Sequence, residues 1–272
     1  MSSVSTRIGI ITSEGTAKVK EGDLSAGWTS VHDNVSQLVL DGTRIGVVTR
    51  ERTAKVKEGG LSAGWTSVHD NVDQLVLSGS RIGVVTSEGT ARVKEGSLSA
   101  SWTDEYNGIG WLALGGARIG VVSNTGTALV KEGDLSAGWT TVHDSAYRLV
   151  LAGSRIGVLT VTKTALVKEG GLSAGWTSVA DSVQQLVLAG SRIGVLTERG
   201  TAKVKEGGLS AGWSDVQEDV VLLALAGTRI GIITNNVMAK VKVKVKEGDV
   251  SAAWTNESEN SAMVVTLPSG TY

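Results

Sequence analysis

Residues 74–104 read QLVLSGSRIGVVTSEGTARVKEGSLSASWTD. Four short segments of this stretch have strand character, at residues 75–77, 81–86, 90–95 and 102–104, with Gly79, Gly89 and Gly96 in the turns between them. β-Branched residues gather in such segments, and turn-forming residues interrupt them about every nine positions. No apolar pattern of period 3.6 lasts ten residues. The stretch therefore predicts four strands joined by tight turns.

The same unit recurs along the chain. Trp28, Trp65, Trp102, Trp139, Trp176 and Trp213 are 37 residues apart, and Trp254 follows after 41. The Arg of an Arg-Ile-Gly triplet falls at Arg7, Arg44, Arg81, Arg118, Arg155, Arg192 and Arg229, every step again 37. The longer last tryptophan step is thus a local insertion of four residues in the Lys-Val alternation between Lys240 and Lys246; four is even, so strand alternation survives it. That alternation reads as a strand with one wet face rather than as a basic patch. Composition agrees with copying: 36 Gly, 1 Pro and no Phe in 272 residues is the bias of one short unit repeated.

Four strands per unit and seven units predict an all-β fold, a seven-bladed β-propeller of four antiparallel strands per blade occupying residues 1–272 as one domain; a solenoid is the main rival. Phase follows from connection length. The link after the tryptophan segment, residues 67–73, reads as the longest irregular one, which makes the tryptophan strand outermost and the Gln-Leu-Val-Leu strand innermost. The chain then begins on a second strand, residues 7–12, and ends on a lone inner strand, residues 263–266. That strand would pair into the N-terminal blade, close the ring and remove a free edge.

Composition also excludes. With 41% hydrophobic and 19% charged residues the chain can bury a core, and the absence of Cys removes disulfides, thiolate metal sites and thiol nucleophiles. A net charge of −1 argues against nucleic acid as the main partner. Residues 1–5 leave no room for a signal core, and no stretch approaches 18 apolar residues, so no membrane insertion is expected. The expected location is the cytoplasm, or outside the cell by a route without a classical signal peptide.

The order of an inner strand ending in Gly, a strand opening with Arg, a turn with Gly, a third strand and then Gly-Trp-Thr-Ser-Val resembles the tectonin and tachylectin-like propeller lectins, over nearly the whole chain from Arg7 to Thr266. Trp65 and Val68 match that family's Trp-x-x-Val, while His69 and Asp70 stand where it carries Pro-Gly. The resemblance implies a propeller and, by analogy, sugar binding.

Comparison among the seven copies separates a uniform blade end from a variable one. Arg-Ile-Gly, Lys-Glu-Gly and Ser-Ala-Gly-Trp gather at one end. The other carries the second-to-third turn, which varies from Ser13-Glu14-Gly15 to Arg50-Glu51-Arg52 and Asn235-Asn236-Val237, and the loop that reads His-Asp at His32, His69 and His143. Seven similar blades bring unlike groups together only at the axis. The residues expected there, Gln37, Gln74, Trp111, Arg148, Gln185, Leu222 and Met263, include no carboxylate, His or Ser. An enzyme, a cofactor and a metal site are therefore not expected, and His-Asp reads as an exposed loop with a turn-forming Asp.

Symmetric pairing of the second hairpin puts Arg44 opposite Glu58 and Arg81 opposite Glu95, a cross-strand pair that folding alone could keep. The tryptophans could likewise plug gaps between blades. The functional reading uses the same atoms: an indole stacks on the C–H face of a pyranose while nearby charged groups meet its hydroxyls. The candidate carbohydrate contacts are Trp28, Trp65, Trp102, Trp139, Trp176, Trp213 and Trp254 with Glu21, Glu58, Glu95, Glu132, Glu169, Glu206 and Glu247. The leading expectation is a multivalent, non-enzymatic binder of monosaccharides or glycoconjugates. The alternative is a protein-interaction scaffold using the variable face and central opening. A third reading takes the near-identity as recent duplication with no ligand.

Overall fold

A computed structural model describes residues 7–235, 241–259 and 262–266. Residues 1–5, Asn236, Val237 and Lys240, on which some of the expectations above fall, lie outside the described residues.

The second blade shows how the sequence makes a sheet. Its strands are Val35–Asp41, Arg44–Thr49, Ala54–Glu58 and Thr66–His69, hydrogen-bonded in chain order, with the first innermost and the last outermost. Seven such four-stranded antiparallel sheets form a seven-bladed β-propeller, and no helix occurs among the described residues. Blade 1 is completed by the last strand, Ala262–Thr266, which pairs with Arg7–Thr12 through Ile10 opposite Val265 and Ile11 opposite Val264. The predicted closure is therefore the observed one.

The core lies between the sheets. Arg44–Thr49 is buried along its whole length because a neighbouring blade covers each of its faces. Ile45 and Val47 pack with Val19, Leu38 and Leu40, whereas Val48 packs with Leu75, Leu77, Ile82 and Val84 of blade 3. Each fully buried aliphatic side chain contributes about 1.5–3 kcal/mol, so stacking of blades is the main source of stability. Gly46 belongs to this contact: a Cβ there would sit 2.7 Å from Leu75 Cδ2.

Two expectations change. The tryptophans precede the outer strands rather than belonging to them, since that of blade 3 is Thr103–Asn107 and Trp102 stands before it. The link used for phasing is short: His69 ends one blade and Val72 begins the next, leaving only Asp70 and Asn71 between. The chain reverses this quickly because Asn71 takes the left-handed conformation (φ 58°), as Asn34, Gly108, Ser182 and Asp219 do at the same place. The longest link is the one before the outer strand, residues 59–65. The phase is nevertheless the predicted one, because the inner strands line the axis.

The insertion in blade 7 lengthens one hairpin without slippage, pairing Arg229 with Glu247 and continuing unbroken to Asn235 with Val241. Val243 and Val245 are buried and Lys242 and Lys244 half-buried, but Lys246 is buried. One lysine of the alternation therefore points into the gap between blades. The pairing of the closing strand also places Val264, not Met263, at the position that Gln37 holds in blade 2.

Candidate binding site

At the uniform end the Arg and Glu pair across the hairpin in all seven blades, with Arg44 opposite Glu58 and Arg81 opposite Glu95 as the spacing predicts. Arg44 Nε donates to Glu58 Oε1 at 2.6 Å, and Arg229 Nη2 meets Glu247 Oε2 at 3.1 Å. The arginines are buried, whereas the carboxylates of Glu58, Glu95, Glu132 and Glu247 are 41–47% exposed. Each Arg also reaches forward: Arg44 Nη2 donates to Gly96 O of the next blade at 2.5 Å, and Arg229 Nη2 donates to Gly22 O at 2.6 Å across the ring seam. This Arg is a strap between neighbouring sheets.

The tryptophan is the second strap. Trp65 Nε1 donates to Val31 O of the preceding blade at 3.0 Å, Trp213 to Val179 O at 3.1 Å, and Trp28 to Glu257 O at 3.0 Å across the seam. One face of every indole is covered by the buried Lys of Lys-Glu-Gly, as with Lys205 Nζ 4.5 Å from the Trp213 ring centre and Lys57 Nζ 4.8 Å from that of Trp65. Lys205 also donates to Leu209 O at 2.8 Å. Burial holds the ammonium groups of Lys57, Lys94, Lys168 and Lys205 below their ordinary value of 10.5, and a strap Arg near each pushes the same way. In two gaps a buried carboxylate faces the lysine instead, Glu105 toward Lys131 and Glu257 toward Lys20. The same position holds Val31, Val68, Val142, Val179 and Val216 in the other blades.

The His-Asp loop is a correction. His32, His69 and His143 end the outer strands, are half-buried, and pack edge-on against the tryptophan of the following blade, with ring centres 5.4 Å apart for His32 and Trp65. Tyr106 does the same to Trp139 at 5.6 Å. The sequence carried the signal: an aromatic or imidazole ring recurs four residues after the tryptophan. It went unread because the contact joins two blades. Asp33 and Asp70 accept from Thr16 and Thr53 at 2.8 and 2.9 Å, which fixes the turn. Among the described residues no three His, Asp or Glu gather as metal ligands.

At the axis the repeat breaks. Gln37 Nε2 donates to Leu75 O and its Oε1 accepts from Leu75 N, at 3.0 and 2.8 Å, so the amide continues the ladder onto the next blade's inner strand. Gln74 and Gln185 do the same toward Leu112 and Leu223. Trp111 takes that role with its indole N–H on Leu149 O at 2.9 Å, as its inner-strand position implies. Arg148, next in the series, lies with its guanidinium carbon 4.3 Å from the Trp111 ring centre and 4.4 Å from that of Tyr147. At the variable end two cavities meet there, of about 640 and 360 Å³. The larger also receives Ser36, Asp73, Glu88 and Asn124, so carboxylates and hydroxyls do converge at the axis. The ladder position alone does not show them; one residue earlier the copies read Ser36, Asp73, Gly110, Tyr147, Gln184 and Val221, and that variation is the signal the sequence carries.

The fold defines the class of the molecule as a seven-bladed β-propeller. No family model matches the sequence, and no curated protein matches it. Its likeness is to solved structures. Kluyveromyces lactis Hsv2 is 10% identical, covers 91% of this chain and 93% of its own, and superimposes with a TM-score of 0.62. Yeast RCC1 (Prp20), in a complex with Kap60, is 7% identical over 82% and 75% of the two chains with a TM-score of 0.66. A puromycin-hydrolyzing peptidase of Mycobacterium tuberculosis is 9% identical, covers 97% of this chain and 53% of its own, and has a TM-score of 0.67. At these identities the likeness is one of fold.

Proposed function

We propose that the chain is a non-enzymatic interaction scaffold that takes a protein or peptide partner at the variable end, over the mouth of the central opening. One observation carries the proposal. The repeated Arg and Trp are engaged in contacts between blades and a Lys covers one face of each of those indoles, whereas the axis mouth presents unlike side chains around two open cavities. Repetition there serves the ring, and variation serves the ligand. Yeast RCC1 (Prp20), a protein that carries this fold, has been seen bound to another protein, Kap60.

Sugar binding at the repeated positions is the second reading. It is favoured by seven half-exposed indoles and by carboxylates open to solvent at the same end of the blades. It needs an indole face, and the lysines already cover one on each ring.

A displayed-peptide selection against the full chain, run beside a saccharide panel, separates the two. The expected peptides bind wild type and Trp65→Phe equally and lose binding to Gly110→Gln, a change at the axis mouth. Saccharide binding below about 10 mM that disappears on replacing the repeated tryptophans would overturn the scaffold reading in favour of a lectin.

A further inference from the structure

The guanidinium of Arg148 differs from every strap arginine. Each of the seven strap arginines has a carboxylate partner in its own blade. Among the described residues Arg148 has no ion pair; its one hydrogen bond is from Nη1 to the adjacent Tyr147 O at 3.3 Å. Two rings hold it, Trp111 and Tyr147, and Lys163 Nζ lies 5.1 Å from the centre of the same tyrosine. A guanidinium packed against rings keeps its in-plane N–H edge for a ligand, and the geometric complement of that edge is a two-oxygen anion.

The surroundings choose among anions. Arg148 sits where the two cavities meet, and they meet because Gly110 carries no side chain where neighbouring blades have Asp73 and Tyr147. On one side, the larger cavity is walled by Glu88 and by Asp73, which pairs with Arg52 at 3.2 Å; the carboxylate of Glu88 disfavours a dianion such as phosphate and favours a cationic group. On the other, the smaller cavity is walled by Val122, Val161 and Tyr147, the last two among the exposed large apolar residues of the surface. An acidic subsite, an anion fork and an apolar subsite follow one another across two cavities of ligand size.

Resting on the reading of the axis mouth as the binding end, we infer that this site takes the C-terminal carboxylate of a peptide. The carboxylate meets the edge of Arg148, the last side chain is apolar and enters the smaller cavity, and the residue before it is basic and faces Glu88.

Fluorescence polarisation with the full chain tests this, using fluorescein-labelled Gly-Ser-Gly-Lys-Leu as free acid and as C-terminal amide, and Gly-Ser-Gly-Glu-Leu as free acid. The free acid of the Lys peptide is expected to bind at least about tenfold more tightly than its amide and than the Glu peptide. Arg148→Lys keeps the charge and loses the fork, and is expected to weaken that binding about tenfold. Gly110→Gln, which installs the residue that Gln184 supplies two blades on, is expected to abolish it. A Cβ at Gly110 meets nothing closer than Asn124 Oδ1 at 3.5 Å, so this variant should fold, as an unchanged melting temperature will show. Equal binding of acid and amide, or no binding of any of the three at about 1 mM, overturns the inference. If selected peptides still lose binding to Gly110→Gln in that case, the axis mouth stands as the binding end and only the carboxylate assignment falls; if none is selected, both fall.

Discussion

Lysine is the residue whose placement costs most in this ring. Lys57, Lys94, Lys168, Lys205 and Lys246 are buried over indole rings, and burial lowers each of their pKa values. A lysine whose native pKa is depressed binds fewer protons folded than unfolded in the window between its native value and 10.5. Stability should therefore rise with pH through that window, as the charging cost is relieved in the folded state first. Urea midpoints measured from pH 7 to 10 should show the rise, and replacing the five lysines with Met should flatten it. The paired lysines make a complementary point. Removing one partner of a buried ion pair typically costs about 3–5 kcal/mol. Glu105→Val should cost only about 1 kcal/mol, because five blades already stack lysine on tryptophan opposite a valine and Lys131 retains its carbonyl at Leu135. For the tryptophans, Trp65→Phe forfeits chiefly the hydrogen bond to Val31 and should cost about 1 kcal/mol, whereas Trp65→Ala also opens the gap between blades and should cost about 3 kcal/mol. Denaturant titrations of the three variants order them.

In blades 2 to 6 the second strand is a Gly-centred element because the next blade's leucines press into it. Gly46→Ala would bring a methyl 2.7 Å from Leu75 Cδ2 and 3.2 Å from Leu77 Cδ1, two side chains already packed in the core, and should destabilise by about 1–3 kcal/mol; Gly64→Ala, in open space, should change little. A pair of thermal melts decides this. Such elements were legible in the sequence to the extent that their causes are local. Arg81–Thr86 and Thr90–Glu95 have the bounds that their alternation and turn glycines imply, and the Arg81 and Glu95 pairing follows from hairpin symmetry. The outer strand was misplaced because its tryptophan looks like strand and acts as a plug between blades. The crossover from one blade to the next was misjudged because the left-handed Asn71 compresses it to two residues, a conformation that leaves only an Asn in the sequence. The contacts of His32, Trp65 and Arg44 with the neighbouring blade depend on how sheets stack, and one repeat read alone does not show that.

At the scale of the molecule, the ring has one seam where chain continuity does not enforce contact. Two straps of the general pattern cross it, Trp28 to Glu257 O and Arg229 to Gly22 O; the buried pair of Lys20 with Glu257 is a third, and the last strand is the fourth. That strand differs in kind from the other three, because it supplies the backbone ladder of a strand that would otherwise be a free inner edge. The side-chain straps hold the blades face to face without satisfying the N–H and C=O groups of Arg7–Thr12. A chain ended after Glu259 keeps all three side-chain straps and loses the ladder together with the packing of the last strand against blade 7. It should fold, melt at lower temperature, and self-associate through the exposed edge in a concentration-dependent way. A synthetic peptide of residues 260–272 added in excess should restore a monomer and most of the lost melting temperature, since a ligand that binds only the folded ring stabilises it by mass action. Sedimentation and thermal melts with and without the peptide measure both effects. If the shortened chain is monomeric and melts with the full one, the side-chain straps alone close the ring and the final strand is dispensable.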